Sequence, residues 1–279
     1  MRSKTILMFL VFLLITGFAF SQEAEETSSD EAQGDEDLQA KTQNPIGAMY
    51  SLPFKFSFDY GAPNGEATFL NIQPVIPVTV GNWNLINRVI APLIHVPGFI
   101  DGTPEIPSGA PGDGATGLGD INYSVYMSPA KPGKAIWGIG PSLMFPTATD
   151  DQLGSGKWSA GPSVVVLTQP KPWTLGMLAR QLWSFSGDDQ RASVNQFLLE
   201  PFVNYNLDKG WYLITDMIIT ANWKADQSWT VPLGGGAGKM FKIGNQNMNT
   251  KIEFYYNVER PDNAPKWSWS WTFQLLFPK

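Results

Sequence analysis

The sequence predicts an all-β protein, a transmembrane antiparallel β-barrel of about 12 strands. Three observations carry the prediction. The stretch Trp267–Phe277, WSWSWTFQLLF, sets Trp267, Trp269, Trp271, Phe273, Leu275 and Phe277 on one face and Ser268, Ser270, Thr272, Gln274 and Leu276 on the other. Period-2 alternation is a strand signal, and a large apolar face opposite a small polar one suits a wall between lipid and lumen. Connections between successive strand candidates alternate short and long. Tryptophans gather at the strand ends, where amphipathic rings meet the lipid headgroups.

The chain opens with Arg2 and Lys4, an apolar run from Ile6 to Phe20, and Ala19-Phe20-Ser21. This reads as a secretory signal over residues 1–21, and the run is short for a membrane-spanning helix. With no cysteine anywhere, neither a lipid-anchored cysteine nor a disulfide framework is expected. Residues 22–45 read as an acidic, disordered N-terminal tail, with eight acidic and no basic residues between Glu23 and Asp37. The barrel is assigned to residues 46–279. From Leu38 onward 17 basic and 17 acidic residues balance, and no basic patch suggests a nucleic-acid partner.

The first strand candidate, Phe54–Tyr60, alternates Phe54, Phe56, Phe58 and Tyr60 with Lys55, Ser57 and Asp59. The next ten are Ala67–Val80, Trp83–Val96, Leu118–Ser128, Ala135–Thr147, Lys157–Thr168, Trp173–Phe185, Ser193–Asn206, Trp211–Trp223, Ser228–Ile243 and Met248–Val258, and Trp267–Phe277 completes the set. Their lengths suit strands that cross a bilayer at a tilt. Pro74, Pro77, Pro141, Pro162 and Pro201 interrupt them and oppose an ideal ladder. Gly81-Asn82, Pro129–Lys134, Gln169–Pro172, Leu207–Gly210 and Gly244–Asn247 are the tight turns, whereas Pro97–Gly117, Ala148–Gly156, Ser186–Ala192 and Glu259–Lys266 are the longer loops. Tight periplasmic turns facing longer extracellular loops are the outer-membrane pattern. An even strand count leaves both termini on the periplasmic side.

The runs GLGDINYSVYMSP (117–129), GPSLMFPTATDDQLGSGKWSAGPSVV (140–165), WSFSGDDQR (183–191), EPFVNYNLDKGWYL (200–213), NWKADQSWTVPLGGGAGKMFKIG (222–244) and LLFPK (275–279) resemble the bacterial outer-membrane family labelled "putative MetA-pathway of phenol degradation". The resemblance spans roughly residues 70–279. It implies an outer-membrane barrel that moves small molecules, aromatic ones among them, and it supplies no catalytic or binding residues.

Little in the sequence points to catalysis or a cofactor. His95 is the only histidine. A hydrolase would need it beside a nucleophile and an orienting group, and no serine motif specifies such a set. One histidine and no cysteine give little support for a transition-metal site. Gly234–Lys239 fails the phosphate-loop template, because Leu233 stands where its first glycine belongs and Met240 follows the lysine. Asp150-Asp151 and Asp188-Asp189 read as solvated loop turns rather than a calcium site, which needs six or more oxygens.

Parity instead points a set of charged and amide side chains into the lumen. Arg180, Asp216, Glu200, Lys251, Glu253, Arg88, Asp120 and Asn204 are the candidates for contact with a solute, joined by Lys55, Asp59, Asn122, Asn249 and Asn257. Charge on the lipid face at mid-strand would be costly. Two readings remain open: a polar conduit, in which Arg180, Arg88 and Lys251 oppose Asp216, Glu200 and Glu253, or a lumen plugged by ion pairs. Twelve strands fall between the eight whose side chains fill a barrel and the sixteen that leave a channel. The expected partners are the bilayer and a small solute, with no cofactor, and the sequence leaves the oligomeric state open.

Overall fold

The computed structural model describes residues 37–278. The signal-sequence reading and the acidic run before Asp37 lie outside them. The elements are β1 (Tyr50–Ala62), β2 (Gly65–Ile72), β3 (Val75–Val80), β4 (Trp83–Val96), β5 (Ala115–Leu118), β6 (Ile121–Pro129), β7 (Ala135–Phe145), β8 (Lys157–Thr168), β9 (Trp173–Gly187), β10 (Asn195–Asn206), β11 (Trp211–Asp216), β12 (Ile219–Asn222), β13 (Trp229–Ile243), β14 (Gln246–Glu259) and β15 (Trp267–Phe277). Three staves are each broken in two (β2 with β3, β5 with β6, β11 with β12), so the 15 segments form a closed barrel of twelve antiparallel staves. Closure is made by β1 and β15, whose register runs unshifted from Tyr50↔Phe277 to Tyr60↔Trp267.

The breaks and the prolines have a common cause. Proline lacks the N–H that a central strand donates. Pro74 sits between β2 and β3, where its carbonyl still accepts from Val89 N at 3.1 Å. The gap between β11 and β12 faces Glu200-Pro201, since Phe202 pairs Asp216 and Leu199 pairs Ile219. Pro141 and Pro162 are register partners. Each is preceded by glycine and followed by serine, and each lies where the ladder to its other neighbour lapses, between Ser124 and Met127 on β6 and between Ala160 and Ser163 on β8. A Cβ at Gly140 or Gly161 would overlap the carbonyl oxygen of Val125 or Gln181. The two Gly-Pro-Ser steps therefore bend the wall together.

Outside, the apolar faces are bare: Leu93, Ile139, Met177, Leu213, Leu233 and Phe254 are exposed. Trp83, Trp137, Trp173 and Trp211 ring the end that carries the tight turns, and Trp158, Trp183, Trp223, Trp229 and Trp267 ring the other. At the seam, aromatic rings stack across β1 and β15, with centroids 4.3 Å apart for Tyr60 and Trp267 and 4.4 Å for Phe58 and Trp269.

Inside, two segments of chain enter from opposite ends. Loop 97–114 folds down from the long-loop end and buries Ile100 and Ile106 against Phe69, Ile94 and Leu153. Its turn depends on Gly102, at φ 73°, where a Cβ would meet the Thr230 side chain. From the tight-turn end, residues 37–42 form a helical turn inside the mouth. Gln43 Nε2 donates to Asn206 Oδ1 at 2.7 Å, and Gln169 Nε2 donates to the Ala40 carbonyl at 2.7 Å. Leu38 packs on Met49 and Leu276. Ile46 is 2 % exposed, enclosed by Ile86, Tyr126, Val165, Leu178 and Phe202.

The tail reading over 22–45 therefore needs correction in its described part, because 37–45 is a folded plug. The acidic run stops at Asp37, and the Gln39 and Gln43 side chains and the Ala40 carbonyl that follow bond to the barrel wall. Deleting the Ile46 side chain removes the most deeply buried apolar anchor of this segment, at a typical cost of about 2–5 kcal/mol. In the mature protein, Ile46→Ala is expected to speed proteolytic clipping before Tyr50 while leaving heat-modifiable gel migration intact. Unchanged clipping would show that the plug is held elsewhere.

Candidate functional site

Inward side chains alternate with lipid-facing ones, so each strand delivers its polar residues at fixed levels. Along β1 the levels climb from Ser51 and Pro53 through Lys55 to Ser57 and Asp59, and three cavities follow the same order. The lowest, about 100 Å3, includes Ser51 and Pro53; a central chamber of about 230 Å3 includes Pro53 and Lys55; an upper vestibule of about 100 Å3 includes Lys55, Ser57 and Asp59. The plug residues Thr42 and Pro45 border both the chamber and the lowest cavity, and the loop tip Pro104-Glu105 borders both the chamber and the vestibule. Plug and loop thus make two necks.

Seven of the eight predicted residues line the chamber: Arg88, Asp120, Arg180, Glu200, Asn204, Asp216 and Lys251. Glu253 is fully buried beside it. Of the five companions, Lys55, Asn122 and Asn249 line the chamber, and Asp59 and Asn257 line the vestibule. Parity placed them all on the inner face. Their pairing differs from the simple opposition of charges expected from the sequence.

Lys251 is the centre of the one tight ion network. Its ammonium pairs with Asp216 and lies 2.8 Å from Glu253 Oε2. The Tyr255 hydroxyl is 3.0 Å from a carboxylate oxygen of each acid and accepts from Asp216 N at 2.9 Å. Room for this network comes from the glycine run of β13, since a Cβ at Gly238 would overlap the ring of Tyr212. The glycine run is therefore a packing device, not a nucleotide loop.

Asp120 is a brace. Its Oδ2 accepts from Ser155 N and Ser155 Oγ, both at 2.7 Å, and its Oδ1 accepts from Ala148 N at 3.2 Å, which ties the loop after β7 to the break between β5 and β6. The two arginines face amides instead of acids. Arg180 donates to Gln196 Oε1 at 3.1 Å and Arg88 to Gln73 Oε1 at 3.2 Å. Arg180 Nε and Asn204 Oδ1 are buried without a partner.

Apolar side chains alternate with the charged ones around the chamber, with Ile90, Met144, Leu178, Leu198, Phe202 and Ile218 among its lining. Glu105, on the loop tip, accepts from Asn71 Nδ2 at 2.7 Å. The sequence reading missed it and the plug residues, because a loop or tail shows no periodicity to say that it turns inward. An isolated Ile46 after the polar stretch was the available signal for the plug.

The residues weighed for chemistry fall elsewhere. His95 stands on the outer face of β4 with Nδ1 2.7 Å from Thr116 Oγ1. Asp150 caps the short turn at Asp151–Leu153, Asp151 pairs with Arg191 at 3.2 Å, and Asp188 accepts from Gln190 N at 2.8 Å.

A closed twelve-stave barrel with a lipid-compatible exterior and a charged, twice-narrowed lumen defines an outer-membrane β-barrel. The chain belongs to the family described as "Putative MetA-pathway of phenol degradation", which matches residues 39–277. Among solved structures, it is similar to the COG4313 outer membrane channel from Pseudomonas putida F1, at 16% identity and TM-score 0.57, over 84% of this chain and 97% of that one. That likeness is one of fold. Looser likenesses are to the Pseudomonas putida toluene transporter TodX (9% identity, TM-score 0.43, 85% and 91% covered) and to outer membrane phospholipase A from Escherichia coli (10%, 0.43, 88% and 98%). No curated protein matches the sequence.

Removing one partner of a buried ion network leaves uncompensated charge, at a cost of about 3–5 kcal/mol. Lys251→Met should lower the urea midpoint of the barrel in lipid accordingly, and adding Asp216→Asn and Glu253→Gln to it should recover most of the loss. A single variant as stable as wild type would mean that the network contributes nothing to the fold.

Proposed function

We propose that this protein is a passive channel of the outer membrane, passing small molecules through its charged lumen without covalent chemistry. The observation that carries the reading is the series of three cavities along the barrel, parted by only two necks. One neck is closed by a loop and the other by a plug, and both segments are separate from the wall. A lumen meant only as filler would be expected to pair its charges throughout, yet Arg88 and Arg180 hydrogen-bond to neutral amides and the protein's own side chains leave a chamber of about 230 Å3. The likeness to a barrel described as an outer membrane channel accords with this reading.

In this reading the tight turns and both termini face the periplasm, residues 1–21 are a signal removed on export, and the plug shuts the periplasmic mouth. The lumen-facing set named above contacts the solute. A chamber of about 230 Å3 is below the ~300–1,000 Å3 of pockets for drug-sized ligands, which suits molecules of about one aromatic ring. The second reading, a non-conducting barrel, is favoured by Ile46, whose burial seats the plug firmly.

The two readings part in a planar bilayer. The mature protein should give discrete conductance steps, and a variant lacking residues 22–45 should give larger and longer ones. Asp216→Ala should shift ion selectivity toward anions. A heat-modifiable, folded barrel that stays silent with and without the plug would favour the non-conducting reading.

A further inference from the structure

We infer that the solute this lumen is built to pass is a small organic anion, a carboxylate carried on an apolar body. The inference rests on the channel reading and specifies its cargo.

Some of the lumen charges are already engaged. Lys251 is held by Asp216 and Glu253, and Asp120 by Ser155 and Ala148 N. Lys55, Arg88 and Arg180 are left on the basic side and Asp59, Glu105 and Glu200 on the acidic side, none of them in an ion pair among the described residues. The distribution of these charges matters more than their number.

The periplasmic neck is bordered by residues common to the chamber and the lowest cavity: Thr42, Pro45, Pro53, Gln73, Arg88 and Gln274. Arg88 is the only charged side chain among them. Its guanidinium is positioned by Gln73, a neutral acceptor, and makes no ion pair among the described residues, with the Glu200 carboxylate within electrostatic reach. Any solute leaving the chamber through this neck passes an unpaired cation in a confined space, where solvent screens poorly. The upper neck carries Lys55 with Glu105 and Asp216, and Asp216 is already bound to Lys251. A route from above therefore runs from Lys55 to Arg88.

The chamber between them has a complementary defect. Arg180 is 6 % exposed, and its Nε finds no acceptor. A buried donor without a partner is unfavourable, and a carboxylate is the acceptor that answers a guanidinium best. Beside Arg180, on the same pair of strands, Leu178 and Phe202 offer an apolar surface to the rest of the molecule. Glu200 on the same wall keeps the site from holding an anion too tightly, and passage requires release as much as entry.

The test uses the mature protein in planar bilayers under a potassium chloride gradient. A parallel liposome assay compares potassium benzoate, benzyl alcohol and benzylamine hydrochloride, three one-ring probes that differ in charge. The reversal potential should show anions preferred severalfold, and benzoate should enter severalfold faster than the other two. Arg88→Gln should remove most of that preference while keeping heat-modifiable migration, and Arg88→Lys should keep most of it. Cation preference, equal entry of the three probes, or an unchanged preference in Arg88→Gln would overturn the anion assignment and leave the channel standing. Silence in the bilayer together with no entry of any probe would overturn the channel and the cargo with it.

Discussion

Within lipid no water satisfies a peptide group, so a sheet that crosses the membrane has to close on itself. The rest of the structure depends on that closure. The β1–β15 seam achieves it with an unshifted register along the whole of β15, reinforced by stacked aromatic rings on the lipid side. Twelve staves then enclose more space than wall side chains fill. Extra backbone has to enter the lumen or the lumen has to stay open. This protein does some of both, with the loop after β4 at one end and the N-terminal segment at the other.

Backbone irregularities in the wall follow the needs of the interior. The gap between β11 and β12 lies beside Asp216, and the break between β5 and β6 lies beside Asp120. At each, the acid bonds to another element, Asp216 to Lys251 and Tyr255 of β14 and Asp120 to Ala148 and Ser155 of the loop after β7. The glycines of β13 leave room for the Tyr212 ring and for the backbone of Ile214, Ile252 and Phe254 on the neighbouring strands. The wall and the charge network form a single packing arrangement, in which a change on either side is felt by the other.

Much of this was legible in the sequence because a strand has only two faces. Once Trp267–Phe277 fixed which face is apolar, parity alone sent Arg180, Glu200, Asp216 and Lys251 inward, and the structure places them there. Turn composition gave the stave count, since Gly81-Asn82 and Gly244–Asn247 leave no room for anything but a reversal. The prolines looked like objections because a single sequence does not show which neighbour a missing N–H would have faced. Pro141 and Pro162 prove to oppose each other, each turned toward a ladder that has already lapsed. The partners of Arg88 and Arg180 were beyond reach for a different reason. Parity gives the direction of a side chain but not its height against residues on other staves, so acids were expected where Gln73 and Gln196 stand. Glu105 and the plug belong to segments without periodicity, and there the sequence has no ruler.

The plug is not a separate part. Ile46 precedes the first residue of β1 by only a few positions, so the stopper is leashed to the rim it closes. A tethered ligand meets its site at an effective concentration on the order of millimolar for a short flexible link. Displacement from the mouth would therefore be answered by rapid return, without any partner to push it back. In the proposed channel, each opening under such a leash would be short, while the burial of Ile46 sets how seldom one occurs.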